Sequence, residues 1–146
     1  MIKETVMKFA TAFDRNKVCE TPLDEIHLEI SWQLIYMNSE LESWKNRFDE
    51  DPEYAFIYSD EAMDTATRFT LYAHLLSEML KAEEDGYPAQ VVLQNIADKI
   101  KSDLLSFNDF DASRTAGPYA SIMGKRGYAS AQFLKVLNSW INKLSK

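Results

Sequence analysis

The sequence predicts an all-α protein: a single-domain antiparallel bundle of about five helices with short connections, spanning residues 1–146. Three observations carry this reading. Apolar residues recur three and four positions apart through most of the chain, the period of one helix face. Helix-start signals precede these stretches. The one stretch that could form a strand, EYAFIY at 53–58, has no second strand to pair with.

The first helix is expected over Ile2 to about Arg15, with Ile2, Val6, Phe9, Ala10 and Phe13 on its apolar face. Thr21-Pro22-Leu23-Asp24 is a strong start for the second. Thr21 is the cap, Pro22 stands where its missing N–H costs nothing, and Asp24 holds the capping-box position. That helix runs to about Asp49 with Ile26, Ile30, Leu34, Met37, Leu41, Trp44 and Phe48 in one stripe. Its other face carries Glu25, Glu29, Glu40 and Glu42.

Asp51-Pro52 interrupts this pattern and is read as capping a single turn up to Tyr58. The third helix, the central one, is then expected from Ser59 as cap, through Asp60, to Gly86. Ala62, Ala66, Phe69, Ala73, Leu76 and Leu80 form one apolar face; Leu71, Tyr72, Leu75 and Met79 form a second. A helix apolar on most sides is covered by neighbours on most sides. Tyr87-Pro88 opens the fourth helix, to about Phe107, with Val92, Ile96, Ile100, Leu104 and Phe107 inward. The segment 108–127 reads as a long connection with a turn at Asn108 to Asp111 and a short helix from Pro118 to Met123. The fifth helix follows from about Tyr128 to Leu144, with Phe133, Val136, Leu137, Trp140, Ile141 and Leu144 facing in.

Composition bounds the function. An apolar share of 46% with 12% aromatics marks a globular chain. The single cysteine, Cys19, allows no disulfide within the chain and reads as a small buried hydrophobe. No signal-peptide run or membrane span is visible, so a cytoplasmic setting is expected. The net charge of −7 argues against nucleic acid as a partner. The charge is also uneven. Residues 20–64 carry thirteen acidic and two basic groups, whereas residues 101–146 carry three acidic and seven basic.

Two short motifs carry candidate chemistry. Arg68 and His74 form an Arg-x5-His, which resembles the motif of the HEPN-type helical ribonucleases. The resemblance implies a catalytic pair, with His74 activating a ribose hydroxyl and Arg68 stabilising the phosphorane. Phe69 stands where that family usually has a polar residue. Glu61-x-x-Asp64 resembles one half of the carboxylate set of the all-α nucleotide pyrophosphohydrolases, the MazG and dimeric dUTPase type. That resemblance implies Mg²⁺ held by Glu61 and Asp64. The family's other half, a Glu-x-x-Glu on the preceding helix, is missing here. A di-iron bundle is not supported, because neither His27 nor His74 has a Glu three residues before it.

Gly124-Lys125-Arg126-Gly127 combines basic side chains with backbone freedom, as an anion site would. The same region combines Tyr119 and Tyr128 as rigid anchors, Ile122 and Met123 as apolar area, and Arg114, Lys125 and Arg126 as a polar rim. The leading expectation is a small acidic helical protein that acts by protein–protein interaction, as a regulator, inhibitor or accessory subunit. The expected partner is another protein, contacted through 114–128, and a homodimer is open to it. No cofactor is expected. The alternative is a nucleotide or RNA phosphodiester-cleaving enzyme built on Glu61/Asp64 or Arg68/His74. A helical DNA mimic is a third reading, motivated by the acidic 20–64 stretch.

Overall fold

The structure, a computed structural model, describes the backbone of residues 2–16, 19–113 and 118–145, and the side chains of 2–16, 19–103 and 129–145. The described residues form five helices and no strand: α1 (Ile2–Asn16), α2 (Pro22–Glu50), α3 (Pro52–Asp85), α4 (Ala89–Ser113) and α5 (Pro118–Leu144). The chain divides into two compact units, Met1–Ser77 and Glu78–Lys146.

In the first unit α1 packs on α2. Val6 and Ala10 of α1 and Ile26, Ile30, Leu34 and Met37 of α2 are buried. His27 is buried too, its ring edge-on to Phe9 and Phe13 at 5.4 and 5.6 Å between centroids. Ser31 donates to the His27 carbonyl at 2.7 Å, which satisfies a buried hydroxyl inside the helix. Trp32 stays partly exposed and ties the two helices by donating Nε1–H to Asp14 Oδ1 at 2.6 Å.

The α2 start is the expected capping box. Thr21 Oγ1 accepts from the Asp24 N–H at 3.1 Å, and Asp24 Oδ2 accepts from the Thr21 N–H at 3.2 Å. The Glu20 N–H also donates to Asp24 Oδ2, at 3.1 Å. The Glu20 N–H bond is the largest influence holding the Asp24 carboxyl below its ordinary range; desolvation opposes it, and Thr21 and His27 add to the lowering. Cys19 beside this cap is exposed, not buried, with Sγ 3.9 Å from the Asp24 carbonyl oxygen.

A single residue joins α2 to α3. The Asp51 N–H closes α2 on the Arg47 carbonyl at 2.9 Å, while its Oδ1 accepts from the Glu53 N–H at 3.0 Å and so caps α3. Pro52 follows at the first helical position, where proline fits best. The Asp51 cap therefore falls as expected, but the turn it starts does not end at Tyr58. The helix continues through Ser59, which lies inside α3 rather than at its start. Eight residues thus join the central helix that the sequence reading had left outside it, because Ser59 and the acidic run after it resemble a start signal. The α2 and α3 strips pair antiparallel: Trp44 meets Tyr58, and Glu40 meets Thr65 further along α3.

Within α3, Thr65, Phe69, Ala73, Leu75 and Leu76 are buried, whereas Ala62, Ala66 and Leu71 are half-buried. The helix is therefore covered in its middle and open at its beginning. It ends where the sequence indicates. Gly86 takes φ +80°, the Tyr87 N–H reaches the Ala82 carbonyl at 2.8 Å, and the Gly86 N–H reaches Glu83 at 3.2 Å. This is the paired closure that a left-handed residue after a helix makes possible.

In the second unit α4 packs on α5. Leu93, Ala97 and Ile100 of α4, and Ala129, Phe133, Leu137 and Trp140 of α5, are buried. The α4 stripe is rotated from the expected one: Val92 and Ile96 are half-buried, while Leu93 and Ala97 take the inner positions. The long connection expected at 108–127 is also revised. The α4 backbone stays helical to Ser113 and α5 begins at Pro118, so Asn108 to Asp111, Gly124 and Gly127 lie in helices.

Candidate functional site

The sequence motifs are placed as follows. Because α3 is helical throughout, Arg68 and His74 leave it about 120° apart, as six residues of a regular helix must. His74 is exposed. Arg68 instead meets Asp64, one turn earlier, with Nε 3.2 Å from Oδ2. The approach is a contact of charges and not an aligned hydrogen bond. The two candidate motifs thus intersect, the arginine of one neutralising a carboxylate of the other. Glu61 is exposed. Among the described residues, no group of three or more His, Cys, Asp or Glu side chains is placed to hold a metal ion. Of the expected interaction residues, Arg114 lies outside the described residues. Tyr119, Ile122, Met123, Lys125, Arg126 and Tyr128 lie on the first turns of α5, with side chains outside the described set.

The feature that the structure does build is a cleft of about 410 Å³ in the first unit. Tyr36, Ser39, Glu40, Ser43, Trp44 and Arg47 line it from α2, at alternating spacings of three and one that define one helical face. Tyr54 closes it from α3. Trp44 and Tyr54 of its lining belong to an aromatic cluster. Trp44 lies 5.5 to 5.8 Å from Phe48, Tyr54 and Tyr58, and the two tyrosine rings are 4.4 Å apart.

Arg47, Tyr54, Glu40 and Trp44 are held by one another and by Thr65. The Arg47 guanidinium lies over the Tyr54 ring at 5.4 Å and donates to its hydroxyl at 2.8 Å. Glu40 Oε1 accepts from Thr65 Oγ1 at 2.9 Å and from the Trp44 indole N–H at 3.3 Å. Thr65 is buried, so this bond both satisfies its hydroxyl and orients the carboxylate.

Elsewhere in the same two helices, and at Tyr36 in the cleft lining, large apolar side chains face water. Tyr36 is 67% exposed, Phe56 87% and Ile57 63%. The sequence reading placed Trp44 and Phe48 in the core stripe and missed this site. The available signal was symmetry about Asp51-Pro52: Trp44 and Phe48 on one side, Tyr54 and Tyr58 on the other, each pair four residues apart and therefore on one face. No family model, curated protein or solved structure matches the chain. Among the described residues no helix is long and apolar enough to cross a membrane.

Proposed function

We propose that the protein acts by binding another protein, as a regulator, inhibitor or accessory subunit, and that the α2–α3 hairpin makes the contact. The observation that carries this reading is the exposure of Tyr36, Phe56 and Ile57 within the segment that holds thirteen acidic and two basic groups. Aromatic and large apolar side chains at an exposed position are the usual anchors of an interface, and surrounding charge guides encounter. A cytoplasmic setting fits the single free cysteine, which is exposed.

The test is photo-crosslinking in native cells, with a benzophenone side chain at position 56 and, as control, at the exposed position 99 of α4. One discrete adduct with another protein at 56, absent at 99, is the expected result. A parallel arm carrying Tyr119→Ala and Arg126→Ala tells whether the start of α5 shares the contact. Identical adducts from 56 and 99, or none from either, would remove the reading. An adduct of the chain with itself would make the partner a second copy.

A further inference from the structure

We propose that the α2 cleft is a receptor for a cationic side chain, a lysine or arginine presented by a basic segment of the partner; this rests on the reading above that the hairpin binds a protein. The volume has room for a side chain, since sites for small ligands run from roughly 300 to 1,000 Å³, and this open cleft is about 410 Å³.

Three features select charge. The first is the carboxylate. Both bonds to Glu40 fall on Oε1, from Thr65 and from the Trp44 indole, and this leaves Oε2 for a ligand. Its orientation is set before anything binds, so little ordering cost remains. The second is the π surface. Tyr36, Trp44 and Tyr54 line the cleft, and aromatic faces attract cations within about 6 Å. The protein already uses that attraction, for the Arg47 guanidinium rests over Tyr54. Arg47 is also tied to the Tyr54 hydroxyl, which holds its guanidinium against that ring and leaves Glu40 as the charged acceptor that the described residues put in the lining. The third is the field. Residues 20–64 have a net charge of −11, which concentrates cations at the cleft and repels phosphates, acidic peptides and a second copy presenting the same face.

The cleft is read through its own indole. The probe is a blocked Lys-Lys-Leu-Lys-Lys peptide, with Glu-Glu-Leu-Glu-Glu as counterpart, titrated while the three tryptophan indole N–H resonances are followed. The Trp44 signal is expected to move with the lysine peptide while those of Trp32 and Trp140 stay, and the glutamate peptide is expected to move none. Glu40→Gln keeps an acceptor for Thr65 and the indole, so the fold is retained. It should weaken the lysine peptide at least fivefold. Glu42→Gln removes the same charge from an exposed position outside the cleft and should weaken it less than twofold. A stationary Trp44 signal would overturn the proposal. So would equal losses in the two variants, which would mean attraction to the acidic surface as a whole. Loss of the lysine-peptide response with the position-56 adduct intact would remove the cleft assignment and leave the partner reading standing. The reverse pattern would keep the cleft and remove the contact through Phe56.

Discussion

Arg68 Nε lies 3.2 Å from Asp64 Oδ2, one helical turn apart and with the acidic residue on the N-terminal side. That order suits the helix dipole, and pairs of this kind in exposed helices contribute about 0.3–0.5 kcal/mol. A double-mutant cycle with Asp64→Asn and Arg68→Gln is expected to give a coupling of that size. Mg²⁺ with nucleoside triphosphates is expected to leave the melting temperature unchanged, because Asp64 is already neutralised. A Mg²⁺-dependent rise abolished by Glu61→Gln would restore the pyrophosphohydrolase reading.

Ala66 and Ala73 share a face by sequence, yet only Ala73 is fully covered. Ala73→Leu should overpack the core and cost about 1–3 kcal/mol, and Ala66→Leu clearly less. Denaturant midpoints decide this; equal shifts would mean that α3 is covered evenly along its length.

At the α2 start, Thr21→Ala should cost about 1 kcal/mol, the usual value of such a cap. Asp24 has a second signature. Its carboxyl is held below its ordinary range, chiefly by the Glu20 N–H, so its contribution is full above the unfolded-state value and fades as pH falls through the lower folded-state value. Asp24→Asn should flatten the acid limb of the stability profile. An unchanged limb would show that the box does not persist in solution.

Tyr72 predicts the alkaline limb. Burial pushes its phenol above the ordinary value, the charge of Glu29 adds to this, and Arg68 opposes it. The folded state therefore keeps the proton after the unfolded chain has released it. Stability from this group is complete below the unfolded value near 10 and declines as pH rises beyond it. Tyr72→Phe should show a shallower decline above about pH 10. A slope identical to that of the native protein would mean that Tyr72 titrates freely.

Local rules made much of the fold legible. Thr21-Pro22-Leu23-Asp24 and Gly86 each act through groups within a few residues, so their chemistry can be read directly. Ile26, Ile30, Leu34 and Met37 were readable because a stripe of that length has one way to be buried. Ser59 misled because a capping residue is also a tolerable helix residue, and what decides between the two is the stronger stop and start at Asp51-Pro52, eight positions earlier. The Leu93, Ala97 and Ile100 stripe was missed because Val92, Ile96 and Ile100 offer an equal period, and only packing selects between faces a single residue apart. The cleft was not legible as a site. Glu40 counts as one more acidic residue until Thr65, on another helix, turns its carboxylate, and Trp44 counts as core until the partner helix leaves one of its sides uncovered.

The joint at Asp51 allows no slack. One extra residue there would turn α3 by about 100° relative to α2. Tyr54 and Tyr58 would then point away from Trp44, and Thr65 away from Glu40. Deleting a residue would turn it as far in the opposite sense. Point substitutions around the cleft can be absorbed one at a time, but a change of length at this joint dismantles every contact across the hairpin at once. The spacing between Trp44 and Tyr54 is thus under tighter constraint than the identity of most side chains that lie between them.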